Sequence, residues 1–397
     1  MKKTLLLLAL VLSFITNAQI VNIPDINFKN ALLNHNPVID TNNDGEIQVS
    51  EAEAVSAYVN VTGTYDNRTI TDLTGIEAFI NITGLYCGYQ KLTTLDLSAN
   101  TKISILNCGY NELTSINISS CTNLLNLYTN NNKLNSLDLS SNTKLLIVRC
   151  YSNPIITLDL SNNTVLRGLT FHGTGITNID LSSNHNLREI TLNEQLTSVD
   201  LSSNTILETL NMVFTTLSSI DLSKNTNLKE ILITYNNNLT NLELSNNNNL
   251  SKIVIKQNST LETINIKNGN NTNITNSNFD ITNNNVLSCV QVDNEIWSTT
   301  NWLNKDTAVS YSETCATASI EDLTLKNFSV YPNPANEVVN IQSLETITQL
   351  SVYNLLGKKV KESKSSYINI KSLAKGIYLI KVKSKNGKLG LKKFIKE

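Results

Sequence analysis

Charge is scarce in this chain of 397 residues. Asp, Glu, Lys and Arg together make up 16%, and 31 basic residues against 33 acidic ones leave a net charge of −2. A nucleic-acid binder driven by a basic surface is thereby excluded. A chain kept disordered by its charge is excluded too, because 40% of the residues are hydrophobic. Histidine is scarcer still: His35, His172 and His185 are all there is, and none stands at metal-ligand spacing from a Cys or a second His. No G-x-S-x-G, H-E-x-x-H or phosphate-cradling loop occurs. Long apolar runs are missing as well. The run Leu5 to Ile15, behind Lys2 and Lys3 and ahead of Thr16-Asn17-Ala18, is too short to span a bilayer comfortably. It reads as a signal peptide over residues 1–18, so the mature protein is expected to begin near Gln19, exported and with no transmembrane segment. No Cys follows that run, which argues against a lipid anchor there.

What is there, in quantity, is repetition. Leu92-Thr-Thr-Leu-Asp-Leu97 returns with its second leucine position at 95, 116, 137, 158, 179, 199, 220, 242 and 264, so successive spacings are 21, 21, 21, 21, 20, 21, 22 and 22. A fixed period of this size marks a repeat architecture. Polarity is carried mostly by Asn, Ser and Thr, which suit turns and side-chain ladders.

A whole unit reads Ile103-Ser-Ile-Leu106-Asn-Cys108-Gly-Tyr-Asn111-Glu-Leu113-Thr-Ser-Ile116-Asn-Ile118-Ser-Ser-Cys121-Thr-Asn123. This resembles the leucine-rich repeat, L-x-x-L-x-L-x-x-N-x-L, with Cys in the third Leu place. It is most similar to short, irregular bacterial repeats whose second half reads L-x-x-L-D-L-x-x-N. The resemblance covers about nine units, Ile82 to about Asn271, and implies a mainly β solenoid with a parallel sheet. The array is assigned to 79–290. Leu85, Leu106, Leu127, Val148, Leu169, Ile190, Leu210, Ile231 and Ile253 are expected to point inward. So are the residues two places on: Cys87, Cys108, Thr129, Cys150, Phe171, Leu192, Met212, Ile233 and Ile255. Asn111, Asn132, Asn153 and Asn236, with Gln90, Thr174, Gln195 and Thr215 as substitutes, form one expected polar ladder. Asn100, Asn142, Asn163, Asn184, Asn204 and Asn225, with Cys121, form a second on the other side of each coil. Cys87, Cys108, Cys121 and Cys150 then read as buried thiols, a Cys87–Cys108 bridge being the alternative.

Ahead of the array, residues 19–78 are read as a small helical cap. Ile23 to Asn34 is predicted helical, with Ile26, Phe28, Ala31 and Leu32 as its apolar side. Asp40 to Glu51 fits the twelve-residue calcium loop. Asp40, Asn42 and Asp44 stand at positions 1, 3 and 5, Gly45 at the sharp turn, Glu46 offers its carbonyl, Gln48 serves directly or through water, and Glu51 closes the site. A structural calcium ion is one expectation. The other is an Asn/Asp turn leading into a helix start, with Ser50 and the glutamates as caps.

Outward strand positions form the face on which solenoids usually bind. Tyr86, Tyr89, Tyr110, Tyr128 and Tyr151 crowd the first four coils beside Arg149, and rings with polar tips suit recognition of a protein or glycan. Tyrosine also simply suits exposed strands. The function expected is non-covalent binding, as an adhesin or interaction module, and not catalysis. A polysaccharide-degrading enzyme on a parallel β-helix is the alternative, with Arg149, Arg167, Arg188 and His172 as its basic residues.

After Asn271 the pattern loosens. Residues 291–318 read as a C-terminal cap and linker, with Trp297, Trp302 and Tyr311 as bulk and Cys289 bonded to Cys315. Ala316 to Asp322 is the linker. Residues 326–397 are strand-rich. Tyr331-Pro332-Asn333-Pro334-Ala335, Leu356-Gly357-Lys-Lys-Val360, Gly376-Ile377-Tyr378 and Lys392-Lys393-Phe394-Ile395-Lys396 closely resemble the type A C-terminal sorting domain of the type IX secretion system of Gram-negative bacteria. That resemblance implies an immunoglobulin-like sandwich of seven strands, a translocon as partner, and a protein released outside the cell or held on its surface.

Overall fold

The structure is a computed structural model that describes residues 19–315, 325 and 327–397. The leader over 1–18 and the linker from Ala316 to Asp322 lie outside the described residues. The chain divides into two compact units between Cys315 and Ala316.

In the first unit every repeat supplies one short strand, because residues two apart face the same side of extended backbone. Eleven strands lie side by side in chain order among the described residues. They begin with Tyr58–Asn60, Gly84–Tyr86, Ile105–Asn107, Asn126–Tyr128, Ile147–Arg149 and Gly168–Thr170. Glu189–Leu192, Thr209–Val213, Glu230–Thr234, Lys252–Lys256 and Phe279–Asp280 complete the sheet. Every pairing is parallel, and register is kept from coil to coil, Leu85 to Leu106 to Leu127 to Val148. The two inward rows are buried as expected. Each such side chain contributes about 1.5–3 kcal/mol, but only when the next coil covers it. The first strand of the sheet, Tyr58–Asn60, comes from the segment read as cap.

The return side of each coil closes the core with the Leu-Asp-Leu residues. Regular strands form there only at the ends: Thr94–Asp96 with Ser115–Asn117, and Asn241–Glu243, Thr263–Asn265, Cys289–Gln291 and Ser310–Ser312. Between them the chain turns on aspartates. Asp138, Asp159 and Asp180 each accept the backbone N–H two residues on at 2.9 Å.

Both polar ladders exist and run further than expected. In the first, Asn132 accepts the Leu113 N–H at 2.9 Å and donates to the carbonyls of Cys108 and Thr129 at 3.0 Å. Asn258 and Asn284 carry this ladder on to the end of the array. Gln195 is not a rung: it is exposed, and Asn193 takes the place, accepting the Thr174 N–H and donating to Ile176 O at 2.7 Å. That coil is one residue shorter, which shifts the inward-facing amide by two positions. In the second ladder Asn163 donates to Leu139 O and Asn142 O. Asn247 and Asn268 extend it, and the Cys121 thiol donates to Leu97 O and Asn100 O at 3.6 Å. Cys87, Cys108, Cys121 and Cys150 are buried and free.

The N-terminal helix is Ile26–Leu33, shorter than the predicted span because Asp25 caps it, accepting the N–H groups of Asn27 and Phe28. Its inner face is Phe28 and Leu32, whereas Ile26 is exposed. At the other end Trp302 lies flat on Phe279, ring centroids 4.0 Å apart. The Trp302 indole N–H donates to Ile274 O and the Tyr311 hydroxyl to Trp302 O. Cys289 is bonded to Cys315. Together these close the open end of the core.

Among its described residues the second unit holds seven strands in two antiparallel sheets. One orders Phe328–Tyr331, Val338–Ser343 and Tyr367–Asn369. The other orders Lys359–Ser363, Ile347–Tyr353, Gly376–Ser384 and Leu389–Lys396. Val339, Leu350, Val352, Ile368, Ile380, Val382 and Phe394 form the core. Among the described residues no helix is long and apolar enough to cross a membrane.

Candidate functional site

Parallel register stacks equivalent residues about 4.8 Å apart along the sheet, so the outward face is built of rows. One row, at mid-strand, brings Tyr86, Asn107, Tyr128 and Arg149 into line. Tyr86 meets Tyr58 edge-on with centroids 6.0 Å apart, and the Arg149 guanidinium lies over the Tyr128 ring at 5.5 Å. Both tyrosines are half-buried and Arg149 is exposed.

Tyr89 and Tyr110 are not in the strands. They sit in the turn that follows, with φ of 53° and 57°, the left-handed region that bulky residues rarely enter. Their rings stack at 4.3 Å, 7° from parallel. Asn131 and Ser152 hold the same place in the next coils, with φ of 56° and 54°, so Tyr151 falls one row inward. There it stacks on His172 at 4.5 Å. Burial first, then the neighbouring Tyr110 hydroxyl, raises the phenols of Tyr89 and Tyr151 above their ordinary value. The predicted residues thus form two groups: a mid-strand row of Tyr86, Tyr128 and Arg149, and an edge cluster of Tyr89, Tyr110 and Tyr151. Gly88 and Gly109 lie beside the cluster. A Cβ on Gly109 would meet the Asn130 side chain at 3.0 Å, so the aromatic edge depends on these glycines.

Phe214 and Tyr235, read as outward residues of later coils, form a further aromatic pair, stacked at 4.5 Å. Both occupy there the place of Tyr89 and Tyr110. The remaining histidines serve structure. His35 is buried, Nδ1 meeting Pro37 O and Nε2 accepting the Asn60 N–H. His185 Nδ1 faces Ser203 O.

The Asp40–Glu51 loop is bonded from within. Asp40 accepts the N–H groups of Asp44 and Gly45. Asn42 and Gln48 amides donate to Asp44 Oδ2 at 3.0 and 2.8 Å. Glu51 accepts from Thr41 N, Thr41 Oγ1 and Asn42 N with one oxygen and from Gln48 N with the other. Burial opposes ionisation of Glu51, but those bonds win and hold it below its ordinary value. Among the described residues, no group of three or more His, Cys, Asp or Glu side chains is placed to hold a metal ion. An ion would have to exchange these internal bonds for coordination. Ser50 gives no cap, whereas Glu51 and Gln48 form a capping box for the helix Val49–Ala54.

Residues 329–397 match the family model described as secretion system C-terminal sorting domain. No curated protein matches the chain in sequence. Among solved structures, an internalin (inlF) from Listeria monocytogenes str. 4b F2365 is similar at 18% identity and TM-score 0.53, over 76% of this chain and 94% of that one. An internalin C2 (inlC2) from the same strain is 21% identical over 57% of this chain and 91% of that one, at TM-score 0.40. The first likeness is one of fold. The chain is a leucine-rich-repeat solenoid followed by a secretion system C-terminal sorting domain.

Proposed function

We propose that the protein is exported through the type IX secretion system by way of residues 326–397. Outside the cell, or on the outer membrane surface of a Gram-negative bacterium, its solenoid binds a protein or glycan non-covalently. The observation that carries this reading is the concentration of stacked rings and a guanidinium on one outward face, Tyr86, Tyr89, Tyr110, Tyr128, Tyr151 and Arg149. Rings already held by their neighbours lose little freedom when a ligand covers them. The sorting domain supports the destination. A glycan array and a pull-down from surface extracts, both with the full mature chain, test the reading. Binding should fall at least tenfold when Tyr86, Tyr110 and Tyr128 are all changed to Ala; unchanged binding would remove the face from consideration.

A structural calcium ion in the N-terminal loop belongs to the same proposal. Asp40, Asn42, Asp44, the Glu46 carbonyl, Gln48 and Glu51 would hold it, fixing the cap against the first coil. Calorimetric titration of calcium should show one site in the wild type and none in Asp40→Ala. No heat in the wild type leaves the capping-box role alone.

A further inference from the structure

The outward edge of the sheet is notched at the strand Glu189–Leu192. Leu192 and Leu196 enclose three residues where Phe171 and Ile176 enclose four. Asn193 turns into the core as a ladder rung directly after the strand, so the shortened turn presents only Glu194 and the exposed Gln195 beyond it. Gly173, at φ 66°, adds no side chain from the coil before. The result is a cleft of about 540 Å³ lined by His172, Gly173, Thr191, Glu194, Val213 and Phe214.

Its walls are rings. His172 is backed by Tyr151, and Phe214, 57% exposed, is backed by Tyr235. The wall strands are separated by two strand spacings, roughly 9.5 Å. The two rings are offset by one residue along the strands, His172 level with Val213 and Phe214 with Gly173, so a ligand crossing the notch meets a ring at each end. Polar groups sit at the rim and floor. Glu194 Oε2 accepts the Gly173 N–H at 2.8 Å, and Thr191 Oγ1 accepts from Asn211 at 3.3 Å. His172 Nδ1 is buried with no partner among the described residues. Burial lowers the His172 pKa against the pull of Glu194, so near pH 7 the imidazole is neutral and the one charge lining the cleft is negative.

We infer that this cleft binds one neutral pyranose unit of a glycan. A pyranose presents C–H faces to both walls and hydroxyls around its rim, where Glu194 and the His172 nitrogen need partners. An aromatic side chain would fill the same width but offer those groups mostly C–H edges, leaving them unpaired. Anionic sugars are opposed by Glu194. The site does not rest on the tyrosine row, since Tyr86, Tyr110 and Tyr128 do not line it.

Saturation-transfer NMR and titration of the mature full chain with methyl β-glucopyranoside, methyl β-galactopyranoside and methyl α-mannopyranoside test this, with N-acetyltyrosinamide as the aromatic probe. At least one sugar should receive saturation at its ring protons. Its affinity should drop about tenfold or more in Phe214→Ala, a loss of about one stacking face, and likewise in Glu194→Gln. Phe214→Trp should restore it, and Asp138→Asn, on the return side, should leave it unchanged. Circular dichroism checks that each variant is folded, and Glu194→Gln decides alone if Phe214→Ala is not. The inference is overturned if none of the three sugars binds, or if the tyrosine derivative binds in their place. It is also overturned if neither Phe214→Ala nor Glu194→Gln weakens the sugar that binds.

Discussion

Changing Asn132 and Asn163 to alanine, one in each ladder, should cost very different amounts. Asn132 uses both ends of its amide: one bond accepted from Leu113 N and two donated at 3.0 Å, to Cys108 O and Thr129 O, beside a weaker one to Asn130 O at 3.4 Å. Truncation removes three bonds worth about 1 kcal/mol each and leaves the buried Leu113 N–H unpaired, so the cost is about 3–5 kcal/mol. Asn163 uses only its donor end, to Leu139 O and Asn142 O. Both carbonyls keep a second donor, Asn142 N and Leu145 N. Asn163 Oδ1 is itself buried with no partner among the described residues, as is that atom in Asn100, Asn142, Asn184, Asn204, Asn225 and Asn247. Truncation there loses about 2 kcal/mol and regains about 1 by removing the orphan oxygen, for a net cost of about 1 kcal/mol. Cys121 is nature's version of the experiment, a thiol that only donates; Asn163→Cys should therefore be near neutral and Asn132→Cys should not. Urea midpoints by far-UV circular dichroism, with hydrogen exchange to localise the loss, measure the difference, since repeat arrays need not unfold in one step. Equal costs, or a greater cost at Asn163, would refute the donor-only account of the second ladder.

Native protein at pH 8 should resist alkylation at Cys87, Cys108, Cys121 and Cys150. Burial raises all four thiols, Cys108 and Cys150 to about 12 and Cys121 to about 11, and mass spectrometry should find them labelled only after denaturation. Reducing Cys289–Cys315 opens a link across 26 positions, worth about 3 kcal/mol in the chain-entropy account; exchange should rise in 279–312 and not near residue 100. On the return side, the Ser140 hydroxyl and N–H lower the Asp138 pKa, and the Ser161 N–H and hydroxyl lower that of Asp159, from an ordinary 3.8. A depressed folded value means stability held above about pH 3.8 and lost as pH falls below it, so Asp138→Asn should flatten the acid limb of a thermal-melt profile.

The period and both inward rows were legible because each is written in residue identity at fixed spacing. The sandwich was legible through the resemblance to sorting domains, and the disulfide through two cysteines flanking the end cap. The tryptophan closure was legible too, since an open core end needs bulk. The rest depended on backbone path. Tyr89 and Tyr110 read as strand residues, yet the chain has already turned at them into left-handed backbone, which spacing alone does not reveal. Gln195 read as a rung because its chemistry suits one. The coil lacks a residue there, and only the folded turn shows that Asn193 points inward. Asn258 and Asn284 were hidden by the lengthening spacing of the last coils. Ile26, read on the apolar side with Phe28, is exposed because the Asp25 cap sets where the first helix begins.

The central claim is that the outward sheet, not the aspartate-lined return side, meets the ligand. Hydrogen-exchange footprinting of the mature chain with a partner captured on intact cells tests it most directly. Protection should appear in the strands from Gly84–Tyr86 to Ile147–Arg149 and in the turns at Tyr89 and Tyr110. Protection confined to Thr94–Asp96, Ser115–Asn117 and the aspartate turns from Asp138 to Asp180 would contradict it.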